Sequence, residues 1–297
     1  MIAITGASGK TGFYAAELLL KNGHQVRAIG RSAEHLRPLT HKGAESFIGD
    51  QSDAQFLTRA FTGAHSAYVL IPPKMDAEDV RGYYDAMGAA VVGAIRKSGL
   101  RKVVFLSSLG ADRSSGTGPV VGLHDVERLL GGIKEVDIVF LRAGYFYENT
   151  LMNIGLIKSK KINGGPTKAD APILMVAAKD ISAKVAELLA NPVFTGHSIE
   201  ELFGQRITYR EVTESIGNKI GIPDLPYVQI PDKDAIEAMT GMGLSKRMAE
   251  SFVELAHGLN EGHIGLTELS PEKPNAPTSF NQFVEEVFGP AYEKAFR

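Results

Sequence analysis

The first half of the chain alternates short apolar runs with amphipathic stretches. Residues 2–5, 25–30, 45–48, 67–71, 102–107 and 137–142 are rich in Val, Ile, Phe and Ala with little polar alternation. That pattern suits strands buried on both faces, as in a parallel sheet. Between them, residues 11–22, 53–61, 77–97 and 124–130 carry helical periodicity, and Gly23, Gly63 and Gly99 stand where helices would stop. Six strands alternating with helices predict an α/β fold with a doubly wound parallel sheet.

After about residue 143 the rhythm changes. Helices are predicted over 149–158, 181–190, 208–220, 234–239, 246–259 and 282–288, and short extended pieces over 173–176, 199–203 and 227–230. Thr208 with Glu211, and Ser279 with Gln282, have capping-box spacing. Residues 1–148 are therefore read as the sheet domain and 149–297 as a smaller C-terminal α/β lobe. That lobe would form the substrate cleft, with some of its segments rejoining the sheet. No linker, repeat or low-complexity tract separates the halves, and the Pro-rich stretch 270–278 is a loop.

Composition narrows the function. With 297 residues, 44% of them hydrophobic, the chain can bury a large core. Thirty-two basic against thirty-four acidic residues leave a net charge of −2, so nucleic acid is not the expected partner. Cysteine is absent, which excludes disulfides, thiol catalysis and thiolate metal sites and suits a reducing compartment. Neither a secretory leader nor a membrane span is visible, so a soluble, cytoplasmic protein is expected.

The first strand runs into Gly6-Ala-Ser-Gly-Lys-Thr-Gly12, and a helix follows at once. A dinucleotide loop needs glycine for a tight turn, for close backbone approach to a pyrophosphate and for helix–strand packing. The helix N-terminus then supplies N–H groups and a partial positive charge. The spacing here is G-x-x-G-x-x-G, and its place between a first strand and a first helix makes it a Rossmann-like phosphate loop. A P-loop would need glycine at position 4, which is Ile4. The second strand ends in Gly30-Arg31, with no acidic residue to bond a ribose 2′-hydroxyl. A guanidinium there suits a 2′-phosphate, so NADP(H) is preferred, with NAD(H) as the alternative. Lys10 offers a second cation.

Five stretches resemble the NmrA-like branch of the atypical short-chain dehydrogenases. They are residues 5–12, Gly30-Arg31, residues 43–50, residues 67–73 and Leu141-Arg-Ala-Gly-Tyr-Phe-Tyr-Glu-Asn149. The last is the most specific, being similar to the family's Leu-Arg-Pro-Gly-Phe-Phe-x-Glu-Asn. The resemblance is dense to about residue 150 and looser to the C-terminus. It implies Gly6, Ser8, Gly9, Lys10, Thr11 and Gly12 at the pyrophosphate, Arg31 at the 2′-phosphate and Asp50 near the adenine. It further implies Ile71 and Pro72, ending the fourth strand, at the ribose and Ser107 on the nicotinamide side. Tyr145, Phe146 and Asn149 would belong to a loop that covers the nicotinamide and lines the substrate pocket.

One departure bears on chemistry. Ordinary short-chain dehydrogenases use Tyr-x-x-x-Lys, the lysine lowering the pKa of the phenol that exchanges a proton with substrate. Aligned on the following helix, those positions are Pro119 and Leu123. His124, beside the vacant lysine position, and Tyr145 are the candidate catalytic residues in its place, set against a packed or capping histidine and a pocket-lining tyrosine.

The remaining signals are weaker. His257 and His263 lack metal-ligand spacing, and no metal is expected. Met239, Met242 and Met248 suit core packing or an apolar pocket. Lys158, Lys160 and Lys161 read as a solvated face. Together the residues and the resemblance imply an NADPH-dependent oxidoreductase (quinone reductase-like) that passes hydride to a flat, easily reduced, apolar small-molecule acceptor. The alternative is a non-catalytic NAD(P)-binding redox sensor with a regulatory protein partner.

Overall fold

Alternation along the strands explains how both faces of the sheet are buried. In the computed structural model, which describes residues 1–295, β1 (Ile2–Ile4) turns Ile2 and Ile4 to one face and Ala3 to the other, all fully buried. The chain continues through α1 (Lys10–Lys21), β2 (Val26–Gly30), α2 (Ala33–Thr40), β3 (Glu45–Ile48) and α3 (Ala54–Phe61). Then come β4 (Ser66–Val69), α4 (Val80–Ser98), β5 (Lys102–Ser108), α5 (Val120–Gly131) and β6 (Asp137–Ala143). Gly23, Gly63 and Gly99 all take the left-handed conformation just past their helices.

The second half begins with β7 (Tyr145–Phe146), a 3₁₀ segment (Tyr147–Asn153), α6 (Ile154–Lys160), β8 (Asn163–Gly165) and β9 (Pro172–Val176). It continues with α7 (Ala178–Ala190), β10 (His197–Leu202), β11 (Gln205–Thr208), α8 (Tyr209–Lys219) and β12 (Tyr227–Gln229). The C-terminal part is α9 (Asp232–Gly241), α10 (Lys246–Asn260), α11 (Phe280–Phe283), a π turn (Val284–Phe288) and α12 (Gly289–Lys294). Thr208 forms a reciprocal capping box with Glu211, and Ser279 caps α11 through the Gln282 N–H.

Seven strands make one parallel sheet in the order β3-β2-β1-β4-β5-β6-β10. Six come from the first half and β10 returns from the second. The order reverses between β1 and β4, opening a crevice at the carboxyl ends of those strands. One sheet face is covered by α3, α4 and α5 through Phe56, Phe61, Met87, Val91 and Val126. The other is covered by α1, α2 and α7 through Leu19, Leu36, Ile181, Val185 and Leu189. Each fully buried aliphatic side chain of this kind stabilises the fold by about 1.5–3 kcal/mol.

Residues 178–202 therefore belong physically to the sheet layer. The small lobe has its own core of Tyr147, Ile173, Met175, Phe203, Ile216, Phe280, Phe283 and Phe288, beneath a three-stranded sheet β11-β9-β7. Its C-terminal segment is tied back to α7, where Asp180 accepts the Thr278 N–H at 3.0 Å and the Thr278 hydroxyl at 2.8 Å. Among the described residues no helix is long and apolar enough to cross a membrane.

Candidate functional site

At the end of β1 the chain makes a tight turn under the N-terminus of α1. Gly6 takes a φ of +58°, and the Gly9 N–H closes the turn onto the Gly6 carbonyl at 2.8 Å. Gly9 is the N-cap of α1, and among the described residues no side chain caps that end and no acidic residue stands in its first turn. The N–H groups of Lys10, Thr11 and Gly12 precede the first helical bond, Phe13 to Gly9, and so have no acceptor within the helix. A Cβ on Gly12 would lie 2.5 Å from the Gly6 oxygen, so helix and turn meet backbone to backbone. Ser8, Gly9 and Lys10 are exposed. Uncapped donors, a helix dipole and an exposed ammonium are what an anion requires.

Thr11 is placed differently from its neighbours. It is 4% exposed, and its hydroxyl oxygen accepts the Tyr68 phenol proton at 2.9 Å. Its side chain faces the interior, and its main-chain N–H is one of the donors without an acceptor in the helix.

A second corner forms at the end of β2. Arg31 is exposed, and the Gly49 N–H bonds the Gly30 carbonyl at 3.1 Å, drawing Asp50 to the same edge. The Ser52 N–H, 2.8 Å from the Asp50 carboxylate, and the Ser52 hydroxyl hold the Asp50 pKa below its usual range, with Arg31 adding to them. Tyr83 donates to the Pro72 carbonyl at 2.9 Å and lies within the field of both Arg31 and Asp50. Tyr83 thus contacts Pro72 within the field of Arg31 and Asp50, a link that sequence reasoning missed because Tyr83 lies on α4. Ile71 and Pro72 do not end the fourth strand: β4 stops at Val69, and both residues lie in the loop beyond it. The Thr5 hydroxyl there accepts the Leu70 N–H at 3.1 Å, in place of a strand partner.

The third corner lies over β5 and β6. Ser107 is 3% exposed, and its hydroxyl has no partner among the described residues. Leaving such a group unsatisfied costs about 1–3 kcal/mol, which a polar ligand group would relieve. Its register partner Arg142 is held in a bidentate pair with Glu127 at 3.0 and 2.7 Å. Glu148 accepts the Ala178 N–H on both carboxylate oxygens. Burial raises its pKa, opposed by that N–H, by its own N–H and by the ammonium of Lys10. Glu148, in the segment after β6, therefore lies within the field of Lys10 on the glycine loop.

Tyr145 and Phe146 do not share a surface. As consecutive strand residues they point to opposite faces. Tyr145 packs against the small-lobe core, and Phe146 packs into the core under α1 and α7. Burial raises the Tyr145 pKa, while hydrogen bonds from Tyr209 and Asn149 act against it. The Tyr209 ring stacks on Tyr227 at 5.1 Å. Asn149 lies in the 3₁₀ segment, ahead of the helix expected to begin there.

His124 lies one turn inside α5, which starts at Val120 rather than at residue 124. Its Nδ1 is 2.8 Å from the Ala111 carbonyl, an acceptor only, so Nδ1 carries the proton. Pro119 caps that helix and Leu123 lies within it. His257 pairs with Asp232 at 2.8 Å and His263 with Glu261 at 3.5 Å. Among the described residues no three His, Asp or Glu side chains gather as a metal site. Met248 is fully buried, whereas Met242 is 62% exposed.

The sequence profile of the NmrA-like family matches residues 1–286. The chain belongs to the NmrA-like family. This NmrA-like chain is 26% identical over 261 residues to the NAD(P)H azoreductase of Xenophilus azovorans, spanning 86% of each. It is 24% identical over 268 residues to quinone oxidoreductase 2 of Escherichia coli strain K12, spanning 88% of this chain and 89% of that one. Its fold matches the E. coli NADPH-dependent quinone oxidoreductase complexed with NADPH at a TM-score of 0.80 and 23% identity, covering 97% of this chain and 100% of that one.

Proposed function

We propose that this chain is an NADP(H)-dependent oxidoreductase that passes hydride to a flat, readily reduced acceptor such as a quinone, without a Tyr/Lys dyad. The observation that carries the reading is the uncapped N-terminus of α1, seated on Gly6 and Gly12 at the sheet's switch point with Arg31 at the neighbouring strand end. The azoreductase and quinone reductase relatives support the same class of acceptor.

In this reading Gly6, Ser8, Gly9, Lys10 and the N–H groups of Thr11 and Gly12 hold the diphosphate. Arg31 takes the 2′-phosphate, Asp50 the adenosine end, and Ile71 and Pro72 the ribose. Ser107 offers its unpaired hydroxyl on the nicotinamide side. The dinucleotide site lies in residues 1–148, and residues 149–297 complete the acceptor pocket around Tyr145 and Asn149. When bound, the nicotinamide supplies the hydride. The site orients the acceptor, and a quinone so held leaves as hydroquinone after taking one proton from water or a nearby side chain.

NADPH oxidation followed by absorbance with a panel of quinones, against a protein-free control, tests the reading. Multiple turnovers with NADPH, slower with NADH, are expected. Tight NADPH binding with no turnover on any quinone would replace the reductase by a redox sensor.

A further inference from the structure

We infer that Tyr68 is a positioning residue for the cofactor diphosphate, acting through Thr11 together with Ser182. The inference rests on the dinucleotide reading of the glycine loop given above.

Among the described residues no side chain caps the first turn of α1, yet its N–H groups must keep a fixed direction to serve an anion. Thr11 is the residue of that turn gripped from inside. From β4, the fully buried Tyr68 donates to its hydroxyl oxygen at 2.9 Å. From α7, the fully buried Ser182 hydroxyl lies 3.0 Å from the Thr11 carbonyl and 2.7 Å from the Ala178 carbonyl, sharing its proton between them. The Thr11 carbonyl and the Gly12 N–H belong to one planar peptide and point in opposite directions. Holding the carbonyl toward α7 therefore aims the Gly12 N–H out of the helix end, where the diphosphate would lie. Tyr68 fixes the same residue by its side chain, which sets the rotation of the turn on the sheet. Burial raises the Tyr68 pKa well above its usual range, so the phenol remains a donor at any working pH.

The grip also crosses the chain. Ser182 lies four residues beyond Ala178, whose N–H is held by Glu148. The phosphate turn and the loop after β6 are therefore attached to successive turns of one helix.

The test is calorimetric titration of wild type, Tyr68→Phe and Ser182→Ala with NADPH and with adenosine 2′-monophosphate, which lacks the diphosphate. Tyr68→Phe keeps the ring and removes one neutral buried hydrogen bond, so NADPH affinity should fall roughly threefold to tenfold. Affinity for adenosine 2′-monophosphate should not change. In a Thr11→Val background, Tyr68→Phe should cause no further loss, because the acceptor it acts through is gone. Equal losses for both ligands, or an undiminished loss in the Thr11→Val background, would show a merely structural role and overturn the inference. So would unchanged NADPH affinity in the variants. Should Tyr68→Phe fail to fold, Ser182→Ala decides by the same comparison of ligands. A wild type that binds no NADPH overturns the dinucleotide reading itself, and this inference with it, an outcome distinct from an insensitive Tyr68.

Discussion

Glu148 accepts the Ala178 N–H at 3.1 Å on each carboxylate oxygen, within the field of the Lys10 ammonium. The segment after β6 is thereby fastened to the N-terminus of α7, whose other face packs on α1. Burial dominates this carboxyl and raises its pKa despite the N–H donors and the ammonium.

A pH dependence follows from that shift. A group whose folded pKa is raised contributes stability that is fully present below its unfolded pKa, near ~4.3 for glutamate, and lost as pH rises through the folded value. The melting temperature of wild type minus that of Glu148→Gln should therefore decline as pH rises from about 4 toward 7. Paired thermal melts across that window check it. A difference that grows with pH would mean that the hydrogen bonds and Lys10 outweigh burial.

Arg31 decides cofactor choice in the proposed site. Arg31→Ser should weaken NADP(H) binding by about 1.5–3 kcal/mol, the range for a charge-assisted contact, and leave NAD(H) nearly unchanged. The loss should shrink at high salt, since Arg31 is exposed. Titration of both cofactors at low and high salt makes the comparison, and parallel weakening of both would move the 2′-phosphate elsewhere.

Two glycines of the loop should divide stability and binding in different proportions. Gly9 has a φ of −89° and is exposed, and a Cβ there would come no nearer than 3.2 Å to the Gly6 oxygen. That is already a tight contact with backbone, so Gly9→Val should lower the melting temperature modestly, less than Gly12→Ala, and abolish NADPH binding by standing where the diphosphate must approach. Gly12→Ala instead forces a Cβ to 2.5 Å from backbone, and the overpacking should cost about 1–3 kcal/mol of stability. Melts and NADPH titration of both variants separate the two roles.

How much of this was legible in the sequence depends on what each residue touches. Most of the first-half strands were readable because their side chains are apolar on both faces. Strand β3, at the edge of the sheet, keeps Glu45, Ser46 and Ile48 exposed and is not the doubly buried strand its apolar residues suggest. The glycine loop was readable because glycine marks backbone contacts that no other residue allows. Helix α2 was not read: Pro38 interrupts its period, and only Leu36 and Leu39 are buried along it. Strands β7, β8 and β11, of two to four residues, are too short to show alternation. Among the candidate site residues, Arg31 announced itself by charge at a strand end, and Asp50 came only through the family resemblance. Tyr68, Tyr83, Ser182 and Tyr209 act through contacts with distant parts of the chain. Only Glu148 carried a signal that could have been used, lying inside the motif that ends at Asn149.

The same contacts bear on proton transfer to the acceptor. His124 points its Nδ1 proton at the Ala111 carbonyl, so at neutral charge its remaining nitrogen is an acceptor rather than an acid. Tyr145 has a pKa raised by burial, which keeps it protonated, and its oxygen is engaged by Tyr209 and Asn149. Of the two, Tyr145 is therefore the better proton donor. For a quinone, however, the oxyanion left by hydride transfer is stable enough to take its proton from water. A positioned donor gives ~10²–10⁴-fold only where proton transfer limits the rate. Both His124→Ala and Tyr145→Phe should accordingly lower kcat with a quinone by less than about a hundredfold, within the smallest such contribution. Tyr145→Phe should act mainly through KM, because it removes the group that Tyr209 and Asn149 hold. Phe146→Ala should lower stability more than it changes KM, since its ring packs beneath α1 and α7. Steady-state kinetics over a quinone series, with NADPH affinity measured in parallel, distinguishes these outcomes. A loss of several thousandfold in kcat for Tyr145→Phe with cofactor affinity intact would make the phenol a true general acid and bring ordinary carbonyl substrates within the enzyme's reach.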